Sequence, residues 1–462
     1  MRGPITRRNP ISGDFSAPAS KPQTQRALVM AALADGLTTI RRPLMARETA
    51  IMIEACRSLG AMVSLSDDAL SVHGIGSKCD RNPDSQRRAG FSYIWAGGSA
   101  LVARIFLTIG SALPENVIVD GRCDLRVRPF EPLTAELRAK GVTFRFLDIP
   151  DHLPCAAVSA ALPGGHYRLG TDVSSQFITA LLVSAPLAAA PVSIELTGPK
   201  YSLSYIRQTI EMMTHFGVAV EADKDMQRIL VSNDQEYHSR DVDLTGDYTS
   251  ASYVLGAAFI TRGTIKLSNL DPNSLQGEKA IIDILIELGA RVSWIQGEGA
   301  LAIDCSSELS PVDTTFDLSD CPNILPTVAV LAATVPGRVR IVGGRLTQNH
   351  KSPRIEAVAA EFSKAAVSAQ VIEDENGFVD GLDIRGRSHY ESAVTFSNHG
   401  DHRIAMAMML FSLACSGSCE FEEPADTADS FPGFVNYLGL RGQCSPVEPL
   451  EPSTAPSADV RS

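Results

Sequence analysis

The sequence predicts an α/β protein of two domains, each built from three similar units. Three observations carry this reading. One pattern occurs six times along the chain, a second kind of helix follows it in each unit, and 462 residues suit two or three domains. The pattern is a polar turn, a helix of small apolar residues, a second turn and a β-rich strand. Its copies are "SKPQTQRALVMAALADGLTTIRRPL", "GGSALVARIFLTIGSALPENVIVDG", "SSQFITALLVSAPLAAAPVSIELTG", "TSASYVLGAAFITRGTIKLSNL", "PNILPTVAVLAATVPGRVRIVGG" and "DHRIAMAMMLFSLACSGSCEFEE". They recur roughly every 75 residues, longer than the usual solenoid periods.

The first helix of each unit is apolar nearly all round, which predicts burial. A second, amphipathic helix follows and should lie outside, as in "MIEACRSLGAMV", "IEMMTHFGVAV" and "IIDILIELGARV". These segments end at Gly60, Gly217 and Gly289, and Gly141 and Gly439 match them, so each glycine is expected just past a helix end in the left-handed conformation. The fifth unit, "IEAVAAEFSKAAVSA", has no glycine there. Strands alternating with such helices give an α/β architecture. Six units divide into two sets of three near residues 244–248, "LTGDY".

Composition narrows the class of partner. With 41 basic and 53 acidic residues the net charge is −12, and no basic block stands out, which argues against nucleic acid. Nine scattered cysteines without a CxxC pair fit reduced thiols in the cytoplasm and no zinc or other metal site. The most apolar stretch, "ITALLVSAPLAAAPV", is broken by Ser184, Pro186 and Pro191 and is too short for a membrane span. "MRGPITRRNPIS" lacks the apolar core of a secretory signal. The Pro/Ser-rich residues 445–462 read as a disordered tail.

The chemistry is expected at the starts of the buried helices. There lie Lys21-Pro22, Gly98-Ser99, Ser174-Ser175-Gln176, Thr249-Ser250, Pro322-Asn323 and Asp401-His402-Arg403. Helix N-termini offer free N–H groups and partial positive charge. If each set of three helices runs parallel, the two sets of N-termini form opposed surfaces, and a cleft between them suits phosphates and carboxylates.

At these residues the chain resembles the enolpyruvyl transferases, in particular the 5-enolpyruvylshikimate-3-phosphate synthase family. Six stretches carry the resemblance in order: "SKPQTQRALVMAALADG", "RPFEPLTAELRAKG", "DVSSQFITALLVSAPLA", "GDYTSASYVLGAA", "SLQGEKAIIDILIELGA" and "GDHRIAMAMML". It implies the enolpyruvyl transferase fold, an inside-out α/β barrel of two domains with three βαβαββ units each. Residues 1–19 and 246–444 would form one domain and residues 20–245 the other. It also implies transfer of the carboxyvinyl group of phosphoenolpyruvate to the 5-hydroxyl of shikimate 3-phosphate, within aromatic amino acid biosynthesis, by a monomer with no cofactor. The partners would be small anions, with neither nucleic acid nor membrane.

The resemblance assigns Ser174, Ser175 and Ser202 to the 3-phosphate, Gln176 and Arg26 to the ring substituents, and Tyr205 to stacking near them. It assigns Lys21, Gly98, Ser99, Arg128, Arg354, His402 and Arg403 to phosphoenolpyruvate and proton transfer. Serine hydroxyls at a helix start donate to phosphate oxygens, and arginine offers a planar fork. Departures from the family pattern concentrate on functional positions. Pro22 replaces a serine, His350 a substrate-binding lysine, Asn323 the aspartate that accepts the hydroxyl proton, Lys351 a glutamate and Asp429 a lysine. The arginine usual three residues after the Ser99 position is absent, and Arg104 lies further on.

An amide takes no proton at neutral pH, so a general base worth roughly 10²–10⁴ in rate is missing at Asn323. Lys351 and Asp429 are changed in opposite senses and read as a charge swap. Three functions are open at this point. One is an enolpyruvyl transferase with Asp320, His350 or a water as base. The second is a lyase that eliminates the 3-phosphate without phosphoenolpyruvate, with His350 or Lys351 as base. The third is an inactive binder of the same ligand.

Overall fold

The structure is a computed structural model that describes residues 9–76, 91–113, 116–158, 161–391, 393–422 and 427–439. The expected tail at 445–462 lies outside the described residues, as do Cys79 and Cys444.

Among the described residues, five four-stranded sheets repeat one design. In the second unit, strand Phe91–Trp95 leads through the buried helix Ala100–Gly110 to strand Asn116–Asp120, parallel to the first. The outer helix Glu131–Ala139 follows, then a hairpin of Phe144–Phe146 and Cys155–Ala157, whose second arm pairs antiparallel with Asn116–Asp120. Joining two parallel strands requires a crossover, and the buried helix supplies it. The other four sheets have the same order and sense. The sixth unit contributes one parallel pair, Thr395–Phe396 with Glu420–Phe421, and its described residues end at Gly439 before any hairpin.

The halves exchange their outer strands. Gly13–Ser16 pairs with Thr264–Ser268 in the fourth unit, and Val242–Asp243 pairs with Leu37–Arg41 in the first. The chain therefore crosses between the halves twice, and the crossings lie side by side. Ser20 N–H donates to Thr245 O at 2.8 Å, and Asp247 N–H donates to Pro18 O at 2.8 Å.

Two apolar cores result, one from residues 27–244 and the other from Ala17 with residues 248–438. In the second core the helices Tyr248–Thr261, Leu325–Ala333 and His402–Ser412 pack on one another. Gly256 marks their close approach, because a Cβ there would lie 3.0 Å from Leu410 Cδ2 and 3.6 Å from Leu331 Cδ2. Among the described residues, no helix is long and apolar enough to cross a membrane.

The expected left-handed glycines are found: Gly60, Gly141, Gly217, Gly289 and Gly439 all have positive φ. In the fifth unit Ala366 takes that place with φ 54°, and the end of helix Arg354–Lys364 is closed by Val367 N–H on Phe362 O and Ala366 N–H on Ser363 O. A β-carbon in this conformation costs roughly 1–2 kcal/mol, partly offset by the lower entropy of unfolded alanine. Ala366 is exposed and gives up no packing on truncation. Ala366→Gly should therefore stabilise the protein by about 0.5–1 kcal/mol, read as a higher urea midpoint.

Candidate active site

Five of the six buried-helix starts converge on one cleft between the halves. Helix Lys21–Leu33 is capped by Ser20, whose Oγ accepts from Gln23 N–H, and presents Lys21 and Pro22. Helix Ala100–Gly110 brings Gly98 and Ser99, and helix Gln176–Ser184 brings Ser174, Ser175 and Gln176. From the other half, the 3₁₀ turn Pro322–Ile324 presents Asn323. Asp401 caps helix His402–Ser412 by accepting from Arg403 N–H at 2.8 Å, and His402 and Arg403 line the cleft.

The fourth start differs from expectation, since Thr249 and Ser250 do not line the cleft. It lies at the crossover, where Asp247 Oδ1 caps Ser250 N–H at 2.8 Å and Oδ2 accepts from Lys21 N–H at 3.3 Å. Its cap thus ties the two halves together. Arg26, Arg128, Ser202, Tyr205, His350, Lys351 and Arg354 complete the lining. Of the residues that the resemblance singles out, Asp429 stands outside it, behind Lys351.

Among the described residues, six cationic side chains and one carboxylate, Glu48, line the cleft. Arg128 is largely buried, and its Nε and Nη2 have no hydrogen-bond partner among the described residues. Arg104, beyond the expected position, reaches the third helix start, where its Nη1 donates to Ser174 Oγ and Gln176 Oε1, both at 2.8 Å. Its guanidinium lies 4.3 Å from the Phe177 ring, and burial, then Arg128, push its pKa down to about 9. Buried guanidinium groups with spare donors are made for anions. Burial, then Arg354, hold His350 well below the usual histidine range, and burial, then Lys351, do the same for His402. Both rings are therefore neutral at pH 7.

An alternating ion network spans the cleft. Lys21 Nζ lies 2.8 Å from Glu48, Lys351 Nζ lies 3.4 Å from Glu48 and 2.5 Å from Asp429, and Asp429 lies 2.9 Å from Arg47. Burial alone would raise the Glu48 carboxyl, but Lys21, Lys351 and His402 outweigh it and hold it below the carboxylate range. The two residues read as a charge swap are thus direct partners.

Asn323 is the middle of a second network. Its Oδ1 accepts from Arg354 Nη1 at 3.1 Å, and its Nδ2 donates to Tyr205 Oη at 2.6 Å. Tyr205 Oη donates to Glu278 Oε1 at 2.5 Å, and Arg354 Nε donates to Asp401 Oδ2 at 2.8 Å. Glu278 is 1% exposed, and burial pushes its carboxyl up to about 7 against the pull of the Tyr205 hydroxyl. Asp320, one expected substitute base, does not line the cleft; its carboxylate accepts from Ser204 N–H at 2.7 Å and faces Arg207 at 3.6 Å.

Glu48 and Glu278 escape a reading of the sequence, and Arg104 shows there without its partners, for understandable reasons. Glu48 sits in the first turn of helix Arg47–Ser58, where an acid is ordinary. Arg104 is inside an apolar helix, which was itself a signal, because a buried arginine needs a partner. Glu278 lies in "SLQGEKA", a matching stretch whose partner Tyr205 is distant in sequence.

Comparison with known proteins covers nearly the whole chain. The family model for EPSP synthase (3-phosphoshikimate 1-carboxyvinyltransferase) matches residues 5–438. The 3-phosphoshikimate 1-carboxyvinyltransferase of Methanothermobacter thermautotrophicus is 35% identical over 403 residues, 87% of this chain and 90% of that protein. That of Syntrophobacter fumaroxidans is 34% identical over 92% of this chain and 96% of its own. The solved EPSP synthase of Acinetobacter baumannii superposes with a TM-score of 0.77 at 21% identity, covering 94% of this chain and 97% of that one. Matched over nearly its whole length in sequence, the chain belongs to the EPSP synthase family of enolpyruvyl transferases.

Proposed function

We propose that this enzyme joins phosphoenolpyruvate to the 5-hydroxyl of shikimate 3-phosphate, or of a close analogue, and releases phosphate. The observation that carries the reading is the two-ended anion site. At one end Ser174, Ser175, Ser202, Gln176 and Arg26 suit a ring-borne phosphate, with Arg104 reinforcing Ser174. At the other, Lys21, Gly98, Ser99, Arg128, Arg354 and Arg403 suit a second, doubly anionic molecule. The two halves, residues 1–19 with 246–444 and residues 20–245, act as domains that close on both substrates. Their cross-cleft contacts, Ser202 N–H on Ser319 O at 2.8 Å and Lys351 with Glu48, support that role.

Exchanging phosphate for an alkoxy group at a vinylic carbon needs a proton delivered to the neighbouring methylene, which makes the reacting carbon electrophilic, and later withdrawn. Lys21, held by Glu48, is the ammonium placed for this transfer, and the arginines stabilise the phosphate as it leaves.

The test is to supply shikimate 3-phosphate with and without phosphoenolpyruvate and to follow phosphate and product mass. Phosphate is expected only with both substrates, together with a carboxyvinyl adduct. Release from shikimate 3-phosphate alone would establish the lyase instead, and binding without turnover would leave only a ligand-binding role.

A further inference from the structure

Resting on the transferase reading, we propose that Tyr205 and Glu278 form a relay that takes the proton of the attacking hydroxyl, replacing the carboxylate lost at Asn323. The hydroxyl proton passes to Tyr205 Oη as the Tyr205 proton passes to Glu278 Oε1. The O–H bond of the substrate breaks as its oxygen bonds to the vinylic carbon. Tyr205 is neutral before and after, and Glu278 changes from carboxylate to acid. The acid returns its proton to solvent along the same path when product leaves.

Three observations carry the relay. First, Asn323 is committed elsewhere: Arg354 occupies its Oδ1, and its Nδ2 is turned to Tyr205. Second, Tyr205 is in the cleft lining, whereas Glu278 is sealed behind it. The phenol oxygen accepts from Asn323, donates to Glu278, and keeps one lone pair for a hydroxyl in the cleft. Third, Glu278 is a buried carboxylate with no salt bridge among the described residues, and Tyr205 is its side-chain partner. A buried charge without a counter-ion is costly and calls for a reason.

The groups facing Glu278 are Tyr205 from helix Leu203–His215, Arg26 from the first buried helix, Asp247 at the fourth start, Cys321 ahead of Asn323, and Arg403 at the sixth start. Their balance with burial leaves this carboxyl near 7, where a base has both occupancy and strength. The competing bases are poorer. Asp320 faces Ser204 and Arg207, and His350 is too weakly basic where burial and Arg354 hold it.

The experiment is steady-state turnover across pH with shikimate 3-phosphate and phosphoenolpyruvate. Wild-type kcat should fall as pH drops below about 7, because Glu278 must be ionised to accept. Glu278→Gln should lower kcat by roughly 10²–10⁴-fold, abolish that limb and leave both KM values nearly unchanged. Glu278→Asp should keep a limb. Tyr205→Phe should reproduce the loss of kcat, which guards against misfolding of the 278 variant. Adding Asn323→Asp to Glu278→Gln should restore at least about tenfold of the rate, since it returns a base directly to the cleft. Wild-type turnover that survives Glu278→Gln with its limb intact overturns the relay and leaves the transferase reading standing. A rise in KM at constant kcat overturns it equally, as the mark of a structural role. A wild-type protein without enolpyruvyl transfer overturns both.

Discussion

Replacing Arg354 with methionine will destabilise the C-terminal half by about 3–5 kcal/mol, the cost of leaving one member of a buried ion pair alone. Arg354 and Asp401 are 3% and 1% exposed, and two arginine nitrogens meet the carboxylate at 2.8 and 3.4 Å. Methionine fills much of the volume, so the loss is electrostatic rather than a cavity. The protein has two tryptophans, Trp95 and Trp294, one in each half. In a Trp95→Phe background, Trp294 fluorescence in urea reads the C-terminal half alone. The same pair predicts a pH dependence. Burial raises the Asp401 carboxyl, but Arg354, His402 and the Arg403 N–H outweigh it, so the folded pKa lies below the unfolded value of about 4. The stabilisation is therefore complete above that value and lost as pH falls below it toward the folded pKa. In Arg354→Met that acid-side loss should shrink. An unchanged midpoint and an unchanged acid limb would refute the assignment.

Exchanging Lys351 and Asp429 will separate folding from closure. Lys351→Glu alone sets a third carboxylate against Asp429 and Glu48, and Asp429→Lys alone sets a third cation against Lys351 and Arg47. With Lys351, Asp429 and Glu48 only 9–12% exposed as side chains, each single change should cost about 3–5 kcal/mol. The double variant restores the contact within its own half, so its stability should recover by about 0.5–3 kcal/mol beyond additivity. Across the cleft it does the reverse: the carboxylate introduced in place of Lys351 would face Glu48, and the ammonium introduced in place of Asp429 would face Arg47. Small-angle scattering should then give a larger radius of gyration than the wild type, with the excess shrinking at high salt. A double variant as compact as the wild type would show that these ions do not hold the halves together.

Much of this site is legible from the chain because its scaffold is local. A helix that is apolar all round is buried in any context, and the residue ahead of its first turn faces wherever its N-terminus points. That logic places Lys21, Ser99, Gln176, Asn323 and His402 around one cleft. It fails at Thr249 and Ser250, since the fourth start coincides with the chain crossing and is spent on Asp247 and Lys21. It fails for Glu48 and Glu278 too, whose meaning depends on Lys351 and Tyr205, contributed by other units.

The sequence by itself determined the α/β repeat, the left-handed helix ends and the family to which the chain belongs. These follow from periodicity and from short-range steric rules, which do not depend on distant residues. The tertiary structure alone decided that Lys351 pairs with Asp429, that Arg104 serves the third helix start, and that Asn323 hands Tyr205 to a buried carboxylate. Charge and hydrogen bonding act over a few ångströms in space, and residues separated by 70 to 118 positions meet only once the chain has folded around them.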